Sequence, residues 1–342
     1  MMTPTAPKTT RNDVYAEFRN IIQQSIATSA PKPVKDEVLQ KPIIIGGCGS
    51  SGTTLLKTIL DSHRNIACGQ EVSFFDRPVL YRTKLKDLHR MYLQQDFRAL
   101  DSEQIFPIQL QYNNVNISYM GLCAPCMGRT YHDFATTNKL FEMARDTRHF
   151  VHLYFSNYAI GQGKRRWAEK TPNNCFCVGE VLDFLDDAKF VHVVRDGRDV
   201  VLSLVERRDS GLPAAVFRWV TAVEAARRHE GNPRYYQLKY EDLVTEPERT
   251  LRDLMEFVEE EFDPGMLDFT RSGQNNPLGY GQKPISAKNV GRWRSANLDY
   301  TAVRTMDLCM RHLLEKLGYE VDSHESAETD HRTDGRKVLQ LT

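Results

Sequence analysis

A glycine-rich stretch, IIIGGCGSSGTTLL over residues 43–56, combines the residue types that bind a phosphate group. Gly47, Gly49 and Gly52 permit a tight turn in which successive backbone N–H groups point inward and form an anion site. Hydroxyl donors stand between and after these glycines, at Ser50, Ser51, Thr53 and Thr54. The stretch therefore predicts a phosphate-binding loop, and the residues from Gly49 to Thr54 are its candidate ligands.

This loop lacks the lysine of the loops that bind nucleoside triphosphates. That lysine stands before the last Ser or Thr and reaches the β and γ phosphates, whereas this chain has Thr53 there. No predicted strand carries a clear aspartate for magnesium. A nucleotide with a short 5′ chain is therefore the favoured ligand. A P-loop nucleotide kinase and a non-catalytic nucleotide-binding protein are the alternatives.

A second candidate anion site follows the apolar run KFVHVV over residues 189–194. Arg195 stands at the end of this predicted strand, and Ser203 comes about two helical turns later in the helix predicted to follow. A guanidinium fork with a hydroxyl group suits a phosphate dianion. A surface ion pair between Arg195 and Asp199 is the alternative interpretation of the same residues.

Apolar runs of strand length alternate with helical patterns along the chain. The predicted strands cover residues 42–45, 189–194 and 234–240, and the predicted helices cover 53–63, 197–207, 213–229, 250–260 and 300–317. Such alternation is typical of a parallel sheet covered on both faces, with ligands at the carboxyl ends of the strands. The sequence therefore predicts an α/β fold, a P-loop-type parallel sheet flanked by helices.

The rest of the chain divides by composition. Residues 1–40 lack an apolar signal core and are predicted to be a flexible leader with a short helix around 14–26. Residues 41–322 form the predicted catalytic domain, in which 76–165, weak in period, are a mostly helical substrate-binding insertion. The polar tail over 323–342 is expected to be disordered.

The overall charge argues against several partners. Lys plus Arg and Asp plus Glu both number 45, so the balance gives no general attraction to nucleic acid, an anionic membrane or a polyanionic glycan. No apolar run approaches the roughly 18 residues of a membrane span, and no secretory signal is visible. The sequence therefore predicts a cytoplasmic protein.

The chain has seven cysteines, an odd number that argues against a disulfide framework. Two close pairs, Cys123 with Cys126 and Cys175 with Cys177, together offer four thiolates to a zinc ion. The single residue inside the second pair is unusual for such a site. Buried or free thiols are the alternative, and no metal is predicted for the reaction.

The two anion motifs together resemble those of sulfotransferases that use 3′-phosphoadenosine 5′-phosphosulfate (PAPS). The first is GSSGTTLLKTILDSH from Gly49, and the second is VVRDGRDVVLSL from Val193. Further stretches similar to this family are WAEKTPNN, LKYEDL and VGRWR, and the resemblance covers residues 41–318. It implies PAPS as cosubstrate, adenosine 3′,5′-bisphosphate as product and a hydroxyl-bearing acceptor.

Within this family the chain is most similar to the tyrosylprotein-sulfotransferase-like branch, because Asp61-Ser62-His63 is followed by Cys68-Gly69-Gln70-Glu71. The resemblance implies that Glu71 is the general base of the reaction. It also implies that Lys170 contacts the bridging oxygen of the leaving group. Histidine is the base in the cytosolic branch of the family, so His132 is the alternative base.

The resemblance also implies nucleotide-binding roles. Arg195 and Ser203 match ligands of the 3′ phosphate. Tyr240 matches a tyrosine on the adenosine side of the nucleotide, and Arg292 lies in a late basic segment that closes on it. The family pattern thus gives the second anion site a defined ligand.

Two positions depart from the tyrosylprotein-sulfotransferase-like branch. Arginine is common where this chain has Ser50, so one cation at the 5′ group is absent, and Lys57 or Lys170 is expected to compensate. The luminal enzymes pair the cysteine equivalent to Cys68 with one at the position of Ala168, so that disulfide cannot form here. This agrees with a reducing compartment and favours a small-molecule acceptor over a protein or a glycan. The oligomeric state is left open.

Overall fold

The computed structural model of the chain describes residues 10–94, 109–112, 115–118, 131–207, 211–271, 285–296, 298 and 300–321. Their contacts divide the chain into two compact units. The first unit contains Met1–Ile44 and His63–Ala188, and the second contains Ile45–Ser62 and Lys189–Thr342. The sequence predicts a single domain over 41–322, and its pattern does not signal this division.

Five strands form the main sheet of the protein, in the order β2-β5-β1-β6-β7, and a separate antiparallel hairpin pairs β3 with β4. β2 pairs with β5, and β6 with β7, in parallel. The strands are β1 (Ile43–Gly46), β2 (Ile66–Cys68), β3 (Gln109–Tyr112), β4 (Val115–Ser118), β5 (Arg166–Lys170), β6 (Lys189–Val194) and β7 (Tyr235–Lys239). The predicted α/β fold, a parallel sheet flanked by helices, is confirmed.

Thirteen helices are found in the described ranges. They are α1 (Arg11–Thr28), α2 (Thr53–Asp61), α3 (Pro78–Arg82), α4 (Leu85–Gln94), α5 (Phe134–Met143), α6 (Thr147–Gly161), α7 (Val178–Phe184), α8 (Gly197–Glu206), α9 (Leu212–Arg227), α10 (Tyr240–Thr245), α11 (Pro247–Val258), α12 (Arg292–Ser295) and α13 (Tyr300–Lys316). Short 3₁₀ turns cover Pro172–Phe176, Pro264–Arg271 and Ala287–Asn289. No helix in these ranges has the length and apolar character needed to cross a membrane.

The sequence pattern predicts β1, β6 and β7 but misses β2 and β5. β2 has only three residues, too few for a period to show. β5 reads RWAEK, yet all five of its residues are buried. Buried charged residues in a strand are unusual, so hydrophobic pattern could not identify β5, although it carries the predicted catalytic residue Lys170.

Aromatic packing dominates the core of the first unit. Phe75, Phe155 and Trp167 form a stack with ring centroids 4.6 to 6.3 Å apart. Such contacts add to the stability that the buried ring area provides. The described part of residues 76–165 consists of four helices and the β3–β4 hairpin, which agrees with a mostly helical insertion.

The N-terminal region, predicted as a flexible leader with a short helix around residues 14–26, contains helix α1. α1 begins with a capping box between Thr10 and Asp13, and its apolar residues Val14 and Ile22 are fully buried. The segment after α1 is tied to α5 by the Lys32 N–H, which donates to Thr136 Oγ1 at 2.9 Å. It is tied to α6 by Asn157, which accepts from the Lys35 N–H at 2.7 Å and donates to the Lys35 carbonyl at 2.9 Å. The short helix expected around residues 14–26 thus occurs as α1, and the flexibility of residues 1–40 stays a prediction.

The second unit contains the loop and helices that follow β1 and β6. α9 packs on α8 and on α13, and the fully buried side chains at these contacts include Trp219, Met306 and Met310. The predicted helices over 197–207, 213–229 and 300–317 match α8, α9 and α13 within a few residues. The predicted polar tail over 323–342 lies outside the described residues.

We expect Asn157→Ala to release the segment after α1, because both hydrogen bonds to Lys35 are lost. Limited proteolysis should then cut between residues 30 and 40 markedly faster than in the wild type. Asn138→Ala is the matched control, since the Asn138 side chain bonds only to His89 and Glu142 among the contacts described. Equal cleavage of the two variants would contradict the anchoring role of Asn157.

Candidate functional site

The glycine loop of the second unit is built on two close contacts. A Cβ on Gly47 would lie 2.4 Å from the Val193 carbonyl oxygen, at the end of β6. Gly52 has φ of +98°, and a Cβ there would lie 2.5 Å from the Tyr240 ring. Both positions therefore require glycine, and the loop backbone lies directly against β6 and Tyr240.

Helix α2 begins at the end of this loop and points its N-terminus at it. Gly52 is the N-cap and provides no side-chain cap, so the first N–H groups of α2 are suited to an anion. Thr53 is the first residue of the helix. The buried Ser51 hydroxyl has no hydrogen-bond partner among the described residues. These features agree with the predicted phosphate site over Gly49 to Thr54.

Ser50 joins the two anion sites that the sequence predicts. It adopts a left-handed conformation with φ of 71°, and its carbonyl accepts from Arg195 Nη1 at 3.1 Å. Its Oγ lies 3.4 Å from Ser203 Oγ and 2.7 Å from Arg207 Nη2. Three side chains that can bind a phosphate thus meet at one loop residue.

Arg207 is a candidate site residue that the sequence did not suggest. It follows Ser203 by one helical turn, at the end of α8, so both side chains lie on one face of the helix. The four-residue spacing between Ser203 and Arg207 was the feature of the sequence that could have identified Arg207. The sequence reasoning names Lys57 or Lys170 as the cation that compensates for Ser50. Arg207 contacts the Ser50 hydroxyl, Lys57 Nζ lies 3.9 Å from Asp61 Oδ2, and the compensating role of Lys57 or Lys170 stays a prediction.

Arg195 is held on three sides inside the second unit. Its guanidinium lies 3.4 Å from Asp199, and it donates to the Asn289 carbonyl and to Ser50. It also stacks over the Tyr240 ring at 4.7 Å. The ion pair offered as an alternative for Arg195 therefore exists, but it is buried and orients the guanidinium toward the glycine loop.

Tyr240 and Arg292 lie in different environments. Tyr240 is buried between Gly52 and Arg195, so it supports the loop from behind. Arg292 begins α12 and is more than one third exposed, with a bidentate contact to Glu206 at 2.9 and 3.0 Å. Arg292 is thus held by the last residue of α8.

The first unit brings Glu71 and Lys170 together. Lys170 ends β5, and Glu71 comes three residues after the end of the neighbouring parallel strand β2. Their side chains form an ion pair between Lys170 Nζ and Glu71 Oε1. Lys170 is 4% exposed and Glu71 is 33% exposed. The two predicted catalytic residues are therefore direct neighbours, and the carboxylate is the one that reaches solvent.

A buried carboxylate, Glu169, holds this pair in place. It accepts hydrogen bonds from Thr171 Oγ1 at 2.6 Å, from Asn174 Nδ2 at 2.8 Å and from the Val72 N–H at 3.4 Å. The bond to Val72 fixes the residue directly after Glu71. Burial raises the pKa of the Glu169 carboxyl to about 7, against the lowering effect of its hydrogen bonds.

Asp76 is a second buried carboxyl in the same region. Burial raises the pKa of Asp76 to about 6, because the nearby Arg77 charge only partly offsets the loss of water. The Glu71 carboxylate contributes to the same upward shift. Asp76 therefore interacts electrostatically with both Glu71 and Glu169, and burial favours the neutral forms of Asp76 and Glu169.

The alternative base His132 is held in a structural contact. It is buried, its Nε2 is 2.7 Å from the Tyr154 carbonyl oxygen, and burial lowers its pKa. The buried His63 ring accepts from the Asn65 N–H. These contacts fix both rings to the backbone.

The cysteines show mainly buried thiols. Cys68 is the register partner of Ala168 across β2 and β5, so the structure places alanine beside the cysteine, as the family pattern implies. Cys175 and Cys177 are free and buried, and burial raises the pKa of Cys177 to about 12. Cys123 and Cys126 lie outside the described residues. No cluster suited to a metal ion occurs in the described ranges.

Comparison with known proteins gives a consistent result. Residues 42–264 match the model of the "Sulfotransferase family". A protein-tyrosine sulfotransferase of Drosophila melanogaster is 24% identical over 81% of this chain and 51% of its own length. Protein-tyrosine sulfotransferase A of Caenorhabditis elegans is 22% identical over 82% of this chain and 68% of its own length. The chain thus spans about half the length of the Drosophila relative.

Solved structures support the fold. The sulfotransferase domain from the curacin biosynthetic pathway has a TM-score of 0.57 at 16% identity, covering 84% of this chain and 100% of that chain. The sulfotransferase domain of the Synechococcus PCC 7002 olefin synthase has a TM-score of 0.52 at 21% identity, covering 85% of this chain and 100% of that one. At these identities the likeness concerns the fold.

Gly52→Ala should destabilise the protein more than Gly163→Ala. Both glycines have positive φ, at +98° and +70°, but a Cβ meets the Tyr240 ring only at Gly52. The left-handed conformation costs alanine about 1–2 kcal/mol at either site, and the overlap adds about 1–3 kcal/mol at Gly52. Thermal unfolding of the two variants measures the difference. Equal losses would contradict the close contact with Tyr240.

Glu169→Gln should make stability less dependent on pH. Because the folded-state pKa of Glu169 lies near 7, above its ordinary value of 4.5, the folded state binds this proton more tightly than the unfolded state. Wild-type stability therefore falls as pH rises from 4.5 to 7, by at most about 1.4 kcal/mol per pH unit. Glutamine keeps the side chain's shape and does not titrate.

The measurement is the melting temperature of both proteins at pH 5 and pH 8. The melting temperature of the Glu169→Gln protein, relative to that of the wild type, should be higher at pH 8 than at pH 5. Glu142→Gln, at an exposed position on α5, should show no such trend. A constant difference between wild type and Glu169→Gln across this range would refute the raised pKa.

Proposed function

Because the chain belongs to the sulfotransferase family, we propose that it transfers the sulfuryl group of PAPS to the hydroxyl group of an acceptor. The observation that carries this proposal is the meeting of Arg195, Ser203 and Arg207 at Ser50 of the glycine loop. Such a set suits a nucleotide that carries separate anionic groups at its 3′ and 5′ positions. A lysine that contacts β and γ phosphates is not needed for such a nucleotide.

The residues of the second unit bind the nucleotide in this proposal. The loop N–H groups, with the hydroxyls of Ser51, Thr53 and Thr54, hold the 5′ phosphate. Arg195 and Ser203 hold the 3′ phosphate, and Arg207 joins them because it lies on the same helix face. Tyr240 supports the adenosine side from beneath Gly52, and Arg292 belongs to the late segment that covers the nucleotide.

The residues of the first unit carry the chemistry. Glu71 accepts the proton of the acceptor hydroxyl as its oxygen forms a bond to sulfur. The bond from sulfur to the bridging oxygen breaks, and adenosine 3′,5′-bisphosphate leaves. Lys170 neutralises the negative charge that grows on this oxygen. The ion pair between Lys170 and Glu71 supports the assignment, because it holds the two groups side by side before substrates bind.

A small molecule is the proposed acceptor, and a cytoplasmic location is proposed with it. Ala168 beside Cys68 removes the disulfide of the luminal enzymes, which agrees with a reducing compartment. The protein-tyrosine sulfotransferase names of the relatives make a peptide tyrosine the second candidate. Incubation of a cell extract with the protein and labelled PAPS separates the two, since the label enters either the small-molecule or the protein fraction.

Binding experiments distinguish the proposed function from its alternatives. The protein should bind adenosine 3′,5′-bisphosphate without magnesium. A P-loop kinase would instead bind ATP with magnesium and ignore the bisphosphate. A non-catalytic homologue would bind the bisphosphate but produce no labelled product from PAPS in any extract.

Glu71→Gln and Lys170→Met should each lower kcat by roughly 10²- to 10⁴-fold, the usual range for a lost proton-transfer or charge-stabilising group. The affinity for adenosine 3′,5′-bisphosphate should change far less in Glu71→Gln, because the base acts on the acceptor. Steady-state kinetics with PAPS measures both the loss in kcat and the change in this affinity. Glu142→Gln serves as the control for loss of an exposed carboxylate. Full activity in both variants would refute the mechanism even if the protein is a sulfotransferase.

A further inference from the structure

Arg218 lies on α9 beside the start of the glycine loop. A Cβ built on Gly49 would be 3.8 Å from Arg218 Nη2. The Arg218 charge also acts on the neighbouring Cys48 thiol, and it partly offsets the burial that raises the pKa of Cys48 to about 12. The contact at Gly49 thus places this guanidinium beside the glycine loop, and the effect on Cys48 agrees with it.

Two other arginines of the second unit, Arg195 and Arg292, have acidic partners. Arg195 lies 3.4 Å from Asp199, and Arg292 lies 2.9 Å from Glu206. Within the described ranges, no acidic side chain comes within ion-pair distance of Arg218. Arg218 is half-buried on α9. A half-buried guanidinium without a carboxylate partner favours an anionic ligand.

The 5′ end of the nucleotide needs such a cation. The loop itself offers backbone N–H groups and hydroxyls, which carry no net charge. Ser50 occupies the position where the resembling branch often has arginine, and Arg207 is engaged with the Ser50 hydroxyl. A sulfated 5′ phosphate carries two negative charges, and a guanidinium binds such groups more strongly than neutral donors do.

We propose that Arg218 binds the 5′-phosphate end of the nucleotide and supplies the cation that Ser50 does not. This inference rests on the proposed function, because it names a further ligand of the same cosubstrate. The second unit then divides its charges by site. Arg195 and Arg207, which contact Ser50, serve the 3′ phosphate, and Arg218, which lies beside Gly49, serves the 5′ group.

The test compares two nucleotides that differ only at the 5′ position. Calorimetric affinities for adenosine 3′,5′-bisphosphate and adenosine 3′-monophosphate are measured for wild type and Arg218→Gln. The variant should bind the bisphosphate roughly 10- to 100-fold more weakly, the effect of losing a hydrogen bond to a charged group. Its affinity for the monophosphate should be unchanged.

Three further variants serve as controls. Ser203→Ala should weaken both nucleotides, because it acts on the shared 3′ phosphate. Arg228→Gln removes an exposed arginine at the end of the same helix and should weaken neither. Arg218→Lys keeps the charge and should retain part of the preference for the bisphosphate, so it tests the idea even if Arg218→Gln fails to fold.

Each outcome has a distinct meaning. A wild-type protein that binds neither nucleotide overturns the proposed function itself. A wild-type protein that binds both, with Arg218→Gln binding the bisphosphate equally well, overturns the role of Arg218 alone. Equal weakening of both nucleotides by Arg218→Gln also overturns it, because the arginine would then act on the 3′ side or on the fold.

Discussion

The second unit of the protein depends on one buried group, the carboxylate of Asp199. It is fully shielded from water and accepts from the Gly291 N–H at 2.8 Å and the Trp293 N–H at 2.9 Å. A buried carboxylate must be matched by donors or a positive charge, and Arg195 provides that charge at 3.4 Å. The late basic segment and the guanidinium are therefore fixed by the same oxygen atoms. Because Arg195 also donates to Ser50, the constraint extends to the glycine loop.

In the first unit, too, a buried carboxyl group, that of Glu169, lies next to the pair of candidate residues Glu71 and Lys170. Glu169 is buried and accepts from a backbone N–H, that of Val72, as well as from two side chains. Here the matching group is not a cation, and burial therefore shifts the carboxyl toward its neutral form. In both units a buried carboxyl group accepts from backbone N–H groups next to a candidate site residue. Glu169 binds the N–H of Val72, next to Glu71, and Asp199 binds the N–H groups on either side of Arg292. Of the two residues in this pair, Glu71 remains partly exposed.

Paired charges also explain how a protein with no net charge can bind a polyanionic nucleotide. Lys plus Arg equals Asp plus Glu over the whole chain, and Arg195, Arg292 and Lys170 each have a carboxylate partner. Such pairing limits self-repulsion between cations in the ligand-free protein. It also orients each side chain before the ligand arrives, so less conformational entropy is lost on binding.

The sequence by itself determined the features that are local along the chain. The glycine loop, the strand β6 with Arg195 at its end, and the helix that presents Ser203 all follow from composition and period within a few residues. The family pattern added Glu71 and Lys170, which pair in the structure although 99 residues separate them. Local rules identify these segments because turn sterics and helical spacing act between neighbouring residues.

Tertiary structure alone decided the contacts between distant residues. It brought Arg207 to Ser50 across 157 residues, tied Asn157 to the segment after α1, and made β5 a buried strand despite its charged sequence. Each depends on a hydrogen bond or ion pair that satisfies a polar group away from water. The periodic spacing of hydrophobic residues does not reveal such a bond, because the partner lies elsewhere in the chain and only folding brings the two residues together.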